Sequence, residues 1–255
     1  MAAAVFATHR CDCFGAQHVS RPGPWFHGTH TVRNEVRDFV EWHRGRAPYV
    51  FWGLLLDSPA LAGQLARAAS WLDGLLLDGY VREPHVTLDV CGFPADRSAD
   101  DESFTPALID AQLGLLVAAA PAPFSIRIGG LDSFTSAPFL KVFDVDRGIA
   151  CLRQCLAENG RHRLFGDYVP HVTVGLYRDA WPLPAVAERI AACPTGDELA
   201  LTVGHADLLG YAPSVIGGAL IRLGRFDLTS RQMHWPPDGE ALLPAFTTMI
   251  HPKQT

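Results

Sequence analysis

Cysteine is scarce, long apolar runs are absent, and positive charge is in the minority. Six cysteines in 255 residues are too few for a disulfide scaffold. Cys91, Cys151 and Cys155 sit in apolar patterns and read as small buried hydrophobes, so a reducing, cytoplasmic setting is the simplest expectation. The run Phe51 to Leu56 is strand-sized, well short of a membrane span, and no membrane partner is expected. Met1 to Ala7 lacks a cationic flank and its apolar stretch stops at Thr8-His9-Arg10, which argues against a secretory signal. With 21 basic against 27 acidic side chains the net charge is −6, so no overall cationic field draws the chain onto long nucleic acid. A small anionic ligand remains compatible, because a pocket needs only local positive charge and oriented donors. A hydrophobic share of 48% with 19% charged residues excludes wholesale disorder, and the length suffices for one globular unit, expected as a monomer.

Three segments differ in character. Residues 1–47 read as an N-terminal extension, rich in Gly, His and Arg as far as His30. Beyond it Val32, Val36, Phe39 and Val40 recur at helical spacing, with Thr31 as a cap. His9, Cys11, Cys13 and His18 read as a solvated arm, because Cys-x-Cys misses the usual zinc spacing. Residues 48–229 form the core. Strands are expected at Tyr49 to Leu56, Pro84 to Cys91, Phe124 to Leu131, Phe139 to Val145, Tyr168 to Tyr177, Leu199 to Gly210 and Gly218 to Leu228. Helices are expected after Ser58-Pro59, up to Ala120, over Asp146 to Asn159 and over Pro182 to Cys193. Residues 230–255 read as a tail. Helices and strands intermix without steady βαβ alternation, so the class is α+β with antiparallel-rich sheets.

The informative feature is a repeat. Pro84-His85-Val86-Thr87-Leu88 returns as Pro170-His171-Val172-Thr173-Val174, 86 positions later. On a strand, alternate side chains share a face, so His85 points with Thr87 and His171 with Thr173. The interleaved Val86, Leu88, Val172 and Val174 then face a core. If the halves pack about a pseudo-twofold axis, the two His–Thr pairs flank one cleft with an imidazole on each side. Opening a cyclic phosphodiester needs a base for the attacking water and an acid for the leaving oxygen. Histidine serves both roles near neutral pH, and threonine hydroxyls can hold the non-bridging oxygens. The scheme calls for no metal and no cofactor.

These motifs, with the order of elements from about Tyr49 to Leu228, resemble the two-histidine (2H) phosphoesterases. Within them the chain is most similar to the bacterial 2′-5′ RNA ligase/RNA 2′,3′-cyclic phosphodiesterase group. The resemblance implies a bilobal, pseudo-twofold α+β fold in which two antiparallel-rich sheets flank a central cleft, with helices outside. It implies His85, Thr87, His171 and Thr173 as catalytic residues. It also implies hydrolysis of a 2′,3′-cyclic phosphate on an RNA end or small cyclic nucleotide, with 2′-5′ ligation as the reverse reaction. The near-identical motifs leave open which histidine is base; the resemblance implies His171 for the water and His85 for the leaving oxygen. The competing reading is a catalytically weak module that binds nucleotides or RNA ends in the same cleft. Substrate contacts are expected from Tyr177, on the His171 face by alternation, from Arg178 (or Arg161 and Arg163), and from Phe51 or Tyr49, with Tyr211 a weaker candidate.

Overall fold

The computed structural model describes residues 28–157, 168–194 and 196–237. A short helix α1 (Val40–His43) precedes strand β1 (Tyr49–Leu55) and helix α2 (Pro59–Trp71). Ser58 caps α2 by accepting from the Leu61 N–H, with Pro59 in the first turn. Strands β2 (His85–Pro94) and β3 (Ser103–Phe104) lead into helix α3 (Pro106–Ala119), which Thr105 caps in the same way. Then come β4 (Phe124–Ser133), β5 (Pro138–Phe143), helix α4 (Gly148–Ala157), β6 (His171–Thr173) and helix α5 (Leu183–Ala191). Four strands finish the described chain: β7 (Leu199–Val203), β8 (His205–Tyr211), β9 (Ile221–Asp227) and β10 (Gln232–His234).

Two sheets result, one in the order β10-β9-β8-β1-β2-β3 and the other β6-β5-β4-β7. All pairings are antiparallel except β2 with β3. Each sheet turns one face into a common apolar core. Val86 and Leu88 on β2, Val50, Trp52 and Leu54 on β1, and Ile126, Ile128 and Val172 in the other sheet all lie within it. The strands β2 and β6, one from each sheet, run beside one another. This is the expected α+β, two-sheet architecture.

Four details depart from the sequence reading. The helix expected across Val32 to Val40 is confined to Val40–His43. Thr31 caps nothing; its hydroxyl donates to Asp179 O and accepts from Trp181 N–H, while Val32 N–H goes to Thr135 O. Residues His30 to Asn34 therefore lie along the second lobe as non-helical chain. The strand expected across Leu199 to Gly210 is broken at Gly204, and its halves join different sheets, β7 in one and β8 in the other. Residues 232–234, placed in the tail by sequence, add strand β10 to the larger sheet. Finally, the strand expected over Tyr168 to Tyr177 is regular only at His171–Thr173. The stretch before Tyr168, with Arg161 and Arg163, lies outside the described residues, as do His9, Cys11, Cys13 and His18.

Candidate active site

His85 opens β2 and His171 opens β6. On both strands the histidine and threonine are half-buried while the valine between them is fully buried. The alternation thus puts His85 with Thr87, and His171 with Thr173, on the side away from the core.

The two imidazoles are held in the same way. His85 Nδ1 is 2.8 Å from the carbonyl of Glu83, and His171 Nδ1 is 2.8 Å from the carbonyl of Val169. A carbonyl can only accept, so each Nδ1 carries the hydrogen and donates it. In the neutral ring this leaves a lone pair on Nε2, and in the charged ring an Nε2–H. Aromatic side chains wall both rings. Phe51 lies 5.4 Å from the His85 ring centre, and Phe134 and Phe139 lie 4.8 and 5.3 Å from that of His171. Burial lowers the pKa of His85 to about 4, with the nearby Arg82 guanidinium and His171 adding to the effect. Burial also lowers that of His171, against a smaller upward pull from its bond to Val169. Both shifts favour the neutral ring at pH 7. That the charge of His171 acts on His85 places the two imidazoles in one electrostatic neighbourhood.

The supporting shell crosses from lobe to lobe. The Tyr168 hydroxyl, just before β6, donates to Thr87 O at 2.8 Å. Arg153 on α4 stacks its guanidinium 3.4 Å above the Tyr168 ring and donates through Nη1 to Leu88 O. One tyrosine and one arginine from the second half of the chain therefore hold the backbone of the first motif. On the other motif, the Tyr80 phenol hydrogen-bonds the Thr173 side chain. Arg82 lies over the Tyr211 ring at 4.1 Å and donates to Gly218 O, which keeps a cation beside His85. Behind Thr87, Asp89 is 1% exposed and accepts from Gln112 Nε2 at 3.4 Å, and Gln112 in turn accepts from Trp52 Nε1. Burial pushes the Asp89 carboxyl up to about 7, although Arg153 works against the shift.

The expected substrate contacts fare unevenly. Tyr177 does not border a cleft. It is fully buried among Leu72, Val186 and Ile190, and its hydroxyl pairs with Ser133 Oγ at 2.6 Å. The parity argument fails because β6 ends at Thr173 and the alternation lapses there, with Val174 and Gly175 both buried in succession. Phe51 is beside His85 but only 4% exposed, so it packs the imidazole and offers little open surface. Tyr49 is buried with its hydroxyl on Glu102, and Tyr211 stands behind Arg82. Arg178 is exposed, with its backbone N–H on Leu75 O, at the end of the segment remote from His171. Sequence reasoning passes over Tyr80, Arg82, Arg153 and Tyr168. Only Arg82 carries a signal, as a cation three residues before the first histidine.

The model of a family described as the 2′-5′ RNA ligase superfamily matches residues 57–213, which include both motifs. Among solved structures, TT0787 of Thermus thermophilus is similar with 18% identity and a TM-score of 0.50, covering 71% of this chain and 97% of its own. E. coli LigT complexed with 3′-AMP aligns with 19% identity and a TM-score of 0.46, over 72% of this chain and 99% of its own. A search of the curated proteins returns no match.

Proposed function

The chain belongs to the 2′-5′ RNA ligase superfamily of two-histidine phosphoesterases, and from that premise we propose that it hydrolyses 2′,3′-cyclic phosphates of RNA ends or small nucleotides without a metal. In this reading Nε2 of one histidine takes a proton from water as the water oxygen bonds to phosphorus. Nε2–H of the other gives a proton to the ribose oxygen as its bond to phosphorus breaks. The product is a phosphomonoester with one free ribose hydroxyl, and the two histidines have exchanged protonation states. Thr87 and Thr173 donate to the non-bridging oxygens, with Tyr80 orienting Thr173. By analogy with the family, His171 is the base and His85 the acid.

The observation that carries the reading is the matched pair of Nδ1 bonds to Glu83 and Val169. Each fixes the tautomer that turns Nε2, the proton-transferring atom, away from the backbone. The depressed histidine pKa values fit the same account. A neutral base is ready at pH 7, and the incoming phosphate anion raises the partner to the charge an acid needs.

The test is a panel of cyclic mononucleotides and cyclic-phosphate oligonucleotides, followed by phosphorus NMR, with wild type, His85→Ala and His171→Ala in excess chelator. Turnover by wild type to a single phosphomonoester, and a loss of roughly 10²–10⁴-fold in each variant, is the expected result. Abolition of wild-type turnover by chelator rejects the metal-free mechanism. Binding without turnover, unchanged in His85→Ala, favours the module that only binds.

A further inference from the structure

The sheet that carries His85 and Thr87 presents a second polar row on the same face. Directly paired residues of antiparallel strands project to one side. Thr87 pairs with Gly53, Gly53 with Asp207, and Asp207 with Arg225, so one line crosses four strands from threonine to arginine. A neighbouring line runs from Phe51, whose ring lies against His85, through Leu209 to Arg222. Arg222 and Arg225 are three positions apart and would face opposite ways on a regular strand. The register shift between Leu208 and Leu209 absorbs one residue of β9 and turns both arginines to the same face.

Asp207 organises the pair. It is fully buried, and its Oδ1 accepts from Arg225 Nε at 2.8 Å and lies 3.2 Å from Arg222 Nε. Its Oδ2 accepts from the Leu55 N–H, and His205 Nε2 stands 3.5 Å away. Arg225 also reaches Oδ2 through Nη2 at 3.5 Å. One arginine would suffice to pair a buried carboxylate. The second is surplus, and the two side chains keep 40% and 32% of their surface exposed. Asp227, two residues beyond Arg225 on β9, accepts from the Thr229 and Ser230 N–H groups of the following turn. With Arg225 held through Nε and Nη2 and Arg222 paired through Nε, Arg225 Nη1 and the Nη groups of Arg222 are left to donate to an anion.

We propose that Arg222 and Arg225, held by Asp207, form a second anion subsite that binds a phosphodiester of a nucleotide chain remote from the phosphate that reacts. The proposal rests on the reading of His85 and His171 given above. Three strand spacings, about 14 Å, separate Thr87 from Arg225, too far for the single phosphate of a cyclic mononucleotide to occupy both places. The subsite therefore distinguishes an oligonucleotide end from a mononucleotide. Both arginines lie beyond the span that the family model matches.

The experiment compares kcat/KM on adenosine 2′,3′-cyclic phosphate and on a short single-stranded oligoribonucleotide ending in the same group. Arg222→Gln is expected to lose about tenfold on the oligonucleotide and less than twofold on the mononucleotide. Its log–log salt slope on the oligonucleotide should be shallower by about 0.7, the loss of one single-strand phosphate contact. Arg222→Lys, which keeps the charge, should retain that slope. Equal losses on both substrates, or none on either, overturn the subsite in favour of a structural strut. Fluorescence anisotropy with the oligonucleotide separates this proposal from the one beneath it. If wild type hydrolyses neither substrate but binds the oligonucleotide more tightly than Arg222→Gln does, the subsite stands and the catalytic reading falls. If wild type does not bind the oligonucleotide, the subsite falls.

Discussion

At the scale of single residues, burial and a backbone carbonyl set the charge and the tautomer of each motif imidazole. The pH dependence follows. With its pKa lowered to about 4, free His85 loses its proton below neutrality, and the lowered His171 is already a competent base. The profile of kcat/KM reports the free protein and so should fall from its optimum on the acid side of pH 7. A bound phosphate anion raises both histidines, so the kcat profile should lie to the alkaline side of it. Coincident profiles would show that no such shift accompanies binding. Tyr80→Phe removes the partner of Thr173 and should lower kcat by several-fold with little change in KM, as steady-state kinetics would show. The His–Thr pairs are legible in the sequence because the motif repeats. Tyr177 is not, because alternation outruns the strand: at Gly175 the backbone already abuts Leu76, and the tyrosine enters a core with Ser133.

Elements position these residues, and α4 does so twice. Its N-terminus is capped by Asp144, which accepts from the Ile149 and Ala150 N–H groups. Arg153, one turn further on, props β2 at Leu88 and stacks on Tyr168. Gly148 begins the helix directly against Phe124, and a methyl group there would meet the ring at 2.1 Å. Gly148→Ala should therefore cost about 1–3 kcal/mol in urea denaturation, since the buried Phe124 has no room to yield. Tyr168→Phe deletes the bond to Thr87 O and should cost about 1 kcal/mol of stability. It should also reduce kcat more than a surface substitution of equal stability cost, because the first motif loses its brace from the opposite lobe. The helices around these sites are readable from Ser58-Pro59 and from apolar spacing. The brace is not, because its parts lie 65 and 81 positions from the carbonyls they hold.

Over the whole molecule, the two lobes share one core, and the chain passes between sheets at Gly204. The apolar pattern continues on both sides of that glycine, so the sequence alone reads as a single strand. Only the competition of two sheets for the same stretch divides it. Asp89 ties global stability to pH through this shared core. Between about pH 4 and 7 the unfolded carboxyl is ionised while the folded one holds its proton, so stability falls as pH rises through that window. Asp89→Asn should melt a few °C above wild type at pH 8, with the gap closing towards pH 4 in thermal scans. A gap independent of pH would refute the buried, protonated carboxyl.

The central claim is that two rings act on one phosphorus from opposite sides, one as base and one as acid. It is tested most directly with a pair of substrates, a ribose 2′,3′-cyclic phosphate and a nitrophenyl phosphodiester whose leaving oxygen needs no proton. The rates of His85→Ala and His171→Ala on both substrates should separate the roles. The account predicts that one variant, His85→Ala by the family analogy, recovers most of its rate on the nitrophenyl ester while the other stays impaired on both. Equal impairment of the two variants on the two substrates, or no impairment at all, would contradict it.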